Sequence, residues 1–191
     1  MLKNLLLKNR SYRRFQQEIS ISNDTLKELV ELARLCPSAR NSQPLRYVIV
    51  NTTEANNALF KCLSWAGYIT DWDGPEEGEQ PAAYIVIVSE SDDKFVPADY
   101  GIAAQSILLG AVEKGYGGCM VAAVKKEQAA AVLDLPENYK IQLVIALGKP
   151  NEQVVLEEMR NESDFKYYRD EHNVHHVPKR KAEEAILKVI C

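Results

Sequence analysis

Leu26, Leu29, Val30 and Ala33 recur at i, i+3, i+4 and i+7, with Lys27, Glu28, Glu31 and Arg34 on the other face. That spacing predicts an amphipathic helix. Ser22 is a capping residue ahead of it, Asp24 sets negative charge in its first turn, and Pro37 ends it. Residues 46–50, Arg-Tyr-Val-Ile-Val, read as a β-branched strand. Residues 82–88 are apolar throughout and predict a strand buried on both faces. Pro97 and Asp99 then open a helix that runs to about Lys114, where Gly115 stops it. From Gly101 to Val112 only Gln105 and Ser106 are polar, so this helix belongs in a core or in a subunit interface. A short strand near 118–121, a helix near 126–133 and a strong strand over 139–147, ended by Gly148, complete the regular part.

After Pro150 the pattern changes. Residues 151–181 are polar and poorly periodic and end in Lys179-Arg180-Lys181, and residues 182–190 suit a short helix or strand. A tail without an apolar face of its own has to wrap around something else. Helix, strand, strand, buried helix, strand and tail predict a single α+β layered domain over 1–191, and no regular βαβ alternation argues for a doubly wound sheet.

Composition narrows the function. Apolar residues make up 46% and charged residues 26% of 191, which excludes a disordered or fibrous chain. With 27 acidic against 23 basic residues, the balance speaks against nucleic-acid binding, which needs many phosphates neutralised. Cys36, Cys62, Cys119 and Cys191 form no CxxC pair and read as reduced thiols. The first eight residues are too short and interrupted for a secretory signal, and no apolar run reaches the roughly 20 residues of a membrane span. A cytoplasmic protein with no membrane partner is expected.

Against the acidic background, Arg10-Ser11-Tyr12-Arg13-Arg14-Phe15 stands out. Guanidiniums offer planar, bidentate donors to phosphate oxygens, so the cluster is either an anion site or a solvated basic turn. No GxGxxG follows a strand, and no P-loop, HExxH, GxSxG or EF-hand occurs. Gly115-Tyr116-Gly117-Gly118 reads as a turn. His175 and His176 point to opposite sides of an extended segment, so no metal site is expected. With His172, Tyr167 and Tyr168 they read as packing and surface residues. Without a nucleophile or metal set, an enzyme of this sequence would leave the hard chemistry to a cofactor.

Four stretches together resemble the nitroreductase family of FMN-dependent oxidoreductases. They are residues 10–15; Pro37-Ser38-Ala39-Arg40-Asn41-Ser42-Gln43-Pro44, set between a helix and a strand; Asp99 through Met120, a buried helix followed by Gly-Tyr-Gly-Gly-Cys; and Lys179-Arg180-Lys181. They span nearly the whole chain, and the second is the most specific. The resemblance implies a three-layer α/β/α fold with a mixed, mostly antiparallel sheet. It also implies a homodimer with FMN at the subunit interface and a C-terminal arm, about 151–191, wrapping the partner subunit. Arg10, Ser11 and Arg13 would hold the FMN phosphate, the ribityl chain and the N1/O2 edge. Pro37, Ser38, Asn41 and Gln43 would contact the flavin, the first three from the partner subunit. Met120, Val121 and Ala122 would lie along the ring, and Arg180 with Lys179 or Lys181 would close on the phosphate. The chain departs from the family at Met120, Ala122 and Ala123, where Trp and glycines are common. It departs again at Asn9, where many members are basic.

The implied activity is hydride transfer from NADH or NADPH through flavin N5 to a small acceptor such as a nitroaromatic or quinone, in ping-pong order. No catalytic residue of the protein's own is needed. A flavin-binding module without turnover, such as a sensor, is the alternative, as is a member with specialised chemistry such as flavin destruction, dehalogenation or ring dehydrogenation. Residues 65–75 are aromatic and acidic. Either they cap the flavin and choose the substrate through Trp65, Tyr68 or Trp72, or they form a surface loop anchored by its aromatics.

Overall fold

Runs of aliphatic residues bounded by turn formers build one main sheet, and the burial of both its faces decides where the helices lie. The computed structural model describes residues 1–90 and 92–191 and divides into two units. The first comprises Met1–Trp65 and Gly74–Asn151. In chain order it holds α1 (Leu2–Lys8), β1 (Phe15–Gln16), α2 (Asn23–Arg34), a 3-10 turn (Ala39–Asn41), β2 (Leu45–Val50), α3 (Thr53–Phe60), β3 (Ala83–Ser89), α4 (Val96–Glu113), β4 (Gly117–Val121), α5 (Lys126–Val132) and β5 (Lys140–Pro150).

The sheet order is β2, β3, β5, with β4 and β1 sharing the far edge of β5, and every pairing between these strands is antiparallel. All seven residues of β3 are buried, as its unbroken apolar run predicts. On one face Ala83, Ile85 and Ile87 join Leu143, Ile145 and Leu147 of β5. They pack on Leu26, Leu29 and Ala33 of α2 and on Ala103, Ala104, Ile107, Leu108 and Ala111 of α4. The alternate residues Tyr84, Val86, Val144 and Ala146 are equally buried on the other face, where α5 packs on β5 and α3 on α5. Each aliphatic side chain so enclosed contributes about 1.5–3 kcal/mol. The result is three layers with antiparallel pairing dominant, as expected.

Several boundaries differ from the sequence reading. Gly148 does not end β5, which runs on to Pro150 and pairs with Phe15 and Gln16. A Cβ at Gly148 would lie 2.7 Å from the fully buried Phe15 ring, so the glycine serves close packing rather than termination. Gly117 and Gly118 likewise belong to β4 and not to a turn. Only Gly115, with φ of 81°, turns the chain after α4. α1 and α3 carry too little periodic apolar pattern to be seen in advance: α1 buries no residue, and α3 only Leu59.

The second unit comprises Ala66–Asp73 and Glu152–Cys191. It holds β6 (Val154–Glu158), β7 (Tyr168–Arg169), β8 (His175–Lys179) and α6 (Ala182–Ala185), with β6 parallel and β7 antiparallel to β8. The polar stretch after Pro150 is therefore more ordered than its periodicity predicts. Its strands are two to five residues long and are held by polar and aromatic pairs. Arg169 meets Glu152 at 3.4 Å, with side chains only 10% and 1% exposed, and lies 4.5 Å from the Trp72 ring centroid. Tyr168 stacks on His176 at 4.7 Å, and Tyr167 tilts on the buried His175 at 5.2 Å. His176, read from sequence as a packing or surface residue, is ion-paired to Glu157 and Asp170.

Candidate functional site

The arginine-bearing segment is laid along the start of β4. The Tyr12 N–H donates to the Gly118 carbonyl at 3.1 Å, and Ser11 forms a parallel bridge with Gly118. Two glycines make this packing possible: a Cβ at Gly118 would lie 2.1 Å from the Ala146 carbonyl oxygen of β5, and one at Gly117 would lie 2.7 Å from the Tyr12 ring. Arg10 and Ser11 thereby come next to the strand that carries Met120 and Val121, two stretches far apart in sequence. Past Gly118 no second strand pairs with the outer edge of β4 among the described residues, so that edge keeps backbone N–H groups for other partners. Cys119 and Val121 point into the packed interior, whereas Met120 is 39% exposed and Ala122 is exposed beyond the strand end.

The arginines divide by partner. Arg14 makes a bidentate pair with Glu79, both bonds 2.6 Å, and so braces the chain; neither the pair nor Glu79 was evident from the sequence. Arg13 Nη1 donates to the Ser11 carbonyl at 3.3 Å. Arg10 Nη2 donates to the Leu6 carbonyl at the end of α1, at 2.5 Å, while its Nε is buried with no hydrogen-bond partner among the described residues. A buried guanidinium N–H without an acceptor is a donor waiting for one.

The 37–44 loop is a second polar feature of the same unit. Its residues Arg40, Asn41 and Gln43 have φ of 54°, 54° and 49°, a left-handed run without glycine. Ser38 Oγ accepts the Gln43 N–H at 3.0 Å, and Asp99 Oδ1 accepts the Ala39 N–H at 3.0 Å from the first turn of α4. Pro37, Ser38 and Gln43 line a cavity of about 110 Å³ together with Cys36, Tyr47 and Asp99, while Asn41 is exposed. Burial, with Cys36 and Asp99 nearby, pushes the Tyr47 hydroxyl up to about 12. Asp99 is a participant that sequence inspection assigned only to helix initiation.

The remaining expected residues have their own settings. Trp65 is buried in the first unit, 5.7 Å from the Phe60 ring, with Gly74 folded closely against it. Tyr68 and Trp72 belong to the second unit. Tyr68 is half exposed beside Phe165 and Tyr167, and Trp72 lies under Arg169. Lys179 ends β8, and the exposed Arg180 lies 3.9 Å from Glu162. No metal-binding cluster of His, Cys, Asp or Glu occurs among the described residues, and no helix among them is long and apolar enough to cross a membrane.

Comparison with known proteins matches residues 6–149 to the profile of the Nitroreductase family. A Bacillus subtilis protein named "Putative NAD(P)H nitroreductase YodC" is 25% identical over 172 residues, covering 73% of this chain and 84% of its own. Among solved structures, a nitroreductase family protein from Clostridium novyi NT superposes with a TM-score of 0.66 at 19% identity, over 93% of this chain and 94% of the other. An FMN-dependent nitroreductase from Clostridium difficile R20291 superposes with a TM-score of 0.64 at 23% identity, over 86% and 94%. At these identities the structural likeness speaks for the fold.

Proposed function

The chain belongs to the Nitroreductase family, and on that premise we propose that it binds FMN and passes a hydride from NADH or NADPH to a small acceptor such as a nitroaromatic or a quinone. FMN, when bound, supplies the two-electron chemistry. The observation that carries the reading is the seating of the arginine-bearing segment on β4 through Ser11 and Tyr12, beside a strand edge with unpaired N–H groups among the described residues.

The donor set fits the cofactor. Arg10, with its buried Nε lacking an acceptor, and Arg13 supply cationic donors, and Ser11 supplies an exposed hydroxyl for phosphate, ribityl and the N1/O2 edge. Cations at that edge stabilise negative charge that develops there. Met120, Val121 and Ala122 lie along the ring, with a backbone N–H of this stretch near N5. Pro37, Ser38, Asn41 and Gln43 contact the flavin from the loop, the first three in the partner subunit.

Homodimerisation is part of the same proposal. Leu2 and Leu6 of α1, Leu35 after α2 and Ile102 of α4 are exposed apolar side chains that a second copy would cover. No disulfide joins Cys36, Cys62, Cys119 or Cys191, which suits a reducing, cytoplasmic setting. The reading is tested by releasing the cofactor from purified protein. It expects a yellow dimer in light scattering that yields one FMN per chain on denaturation. A colourless protein that takes up no FMN from solution contradicts it.

A further inference from the structure

The 37–44 loop adopts a shape that its own sequence disfavours. Arg40, Asn41 and Gln43 all have φ near 50°, where an L side chain crowds its own backbone, and none of them is glycine. Bonds inside the loop curl it: the Asn41 N–H donates to the Ser38 carbonyl at 2.9 Å, the Ser42 N–H to the Ala39 carbonyl at 3.0 Å, and the Gln43 N–H to Ser38 Oγ at 3.0 Å. Such bonds set the curl without fixing where it stands. Its link to the scaffold runs through Asp99, which is 4% exposed on α4 and whose Oδ1 accepts the Ala39 N–H at 3.0 Å. The other links, Arg46 Nη1 donating from β2 to the Gln43 carbonyl at 3.1 Å and Arg40 lying 3.9 Å from Asp93 and 5.3 Å from the Phe95 ring centroid, are solvent-exposed and therefore weak.

The other carboxylate oxygen is informative. Asp99 Oδ2 is buried with no hydrogen-bond partner among the described residues, and Asp99 lines the cavity shared with Ser38 and Gln43. A buried carboxylate with so few donors is costly to fold, and an asparagine would accept the same N–H without burying charge. A side chain kept here at that cost points to a task for the oxygen that is satisfied, the hold on the Ala39 N–H at the base of the loop.

We propose that Asp99 is a positioning residue for the flavin: through the Ala39 N–H it holds the 37–44 loop in the form that presents Ser38, Asn41 and Gln43 to FMN. This rests on the FMN reading above and adds to it a residue that does not itself touch the cofactor.

The test measures the FMN dissociation constant by fluorescence titration, with Tm in parallel, for wild type, Asp99→Ala, Asp99→Asn, Ala39→Pro and the double variant Asp99→Ala/Ala39→Pro. Ala39→Pro removes the donor and puts its ring Cδ where the hydrogen faced Asp99 Oδ1, so it breaks the bond from the loop side and pushes the carboxylate away, a clash that the double variant relieves. It fits the first position of the turn because Ser38 is already extended, with φ of −126° and ψ of 156°. Asp99→Ala and Ala39→Pro are each expected to weaken FMN binding about tenfold, the double variant no more than either, and Asp99→Asn to stay within about threefold of wild type. Should Asp99→Ala fail to fold, Ala39→Pro and Asp99→Asn carry the same comparison. A lowered Tm with unchanged FMN affinity, losses that multiply in the double variant, or no rescue by asparagine overturns the proposal while the FMN reading stands. Failure of wild type to bind FMN overturns the reading itself, and the proposal with it.

Discussion

The N–H of Tyr12 donates to the carbonyl of Gly118 at 3.1 Å, joining the arginine-bearing segment to the first residues of β4. The bond depends on the position of β4 against β5, which Gly118 sets by close packing. Gly118→Ala drives a Cβ to 2.1 Å from the Ala146 carbonyl oxygen, in the middle of the sheet. A loss of about 2–4 kcal/mol is expected, with weaker FMN binding because the 10–13 segment loses its seat. Thermal melts and FMN titration check both; an unchanged Tm contradicts the packing account.

Arg10 and Arg14 should separate binding from stability. Arg10→Ala removes a cation whose Nε has no hydrogen-bond partner among the described residues, so FMN affinity falls about tenfold or more while Tm hardly moves. Arg14→Ala breaks a half-buried bidentate pair with Glu79 and costs about 1 kcal/mol of stability, leaving FMN affinity intact. The same two measurements on both variants decide it, and equal effects of the two on FMN binding contradict the division of labour.

Much of this was legible in the sequence, for identifiable reasons. The helix over Leu26–Ala33, the strand at 82–88 and the buried helix after Pro97 announce themselves through periodicity or its absence, because burial alone dictates those side chains. The Ser38–Gln43 loop was legible as a motif. Its hold on α4 was not, since nothing in the spacing of Ala39 and Asp99 signals a hydrogen bond across 60 residues. The second unit was missed because its strands rest on pairs such as Arg169–Glu152 and Tyr168–His176, which leave no hydrophobic period. The readings of Gly117 as a turn and of Gly148 as a strand end fail because the roles of these glycines, the close approach of Tyr12 to one and of Phe15 to the other, are tertiary.

His176 makes the second unit sensitive to pH. The bonds to Asp170 and then Glu157 raise its pKa above the ordinary 6.5. A raised folded value means that its stabilisation is complete below about 6.5 and is lost as pH rises through the raised value. Asp170, held below the usual carboxylate range first by the Val174 N–H, remains an anion across that window. Hydrogen exchange at the amides of β7 and β8 should therefore show weaker protection at alkaline pH, after correction for intrinsic rates. His176→Gln should flatten the dependence. Protection that is constant with pH in wild type contradicts it.

Arg169 ties Ala66–Asp73 to the C-terminal sheet through Trp72. Arg169→Met leaves the nearly inaccessible Glu152 without this partner, at a cost of about 3 kcal/mol. It also frees the Trp72 ring, so limited proteolysis within 66–73 should accelerate. A cleavage rate equal to wild type shows that the staple is not what holds the segment.

The central claim is that this chain binds FMN and turns it over with a nicotinamide donor. It is tested most directly by following the visible flavin spectrum of the FMN-loaded protein under anaerobic conditions. The account predicts that NADH or NADPH bleaches the absorption band and that a nitroaromatic or quinone then restores it. A band that neither nucleotide bleaches contradicts it and leaves a flavin carrier without turnover.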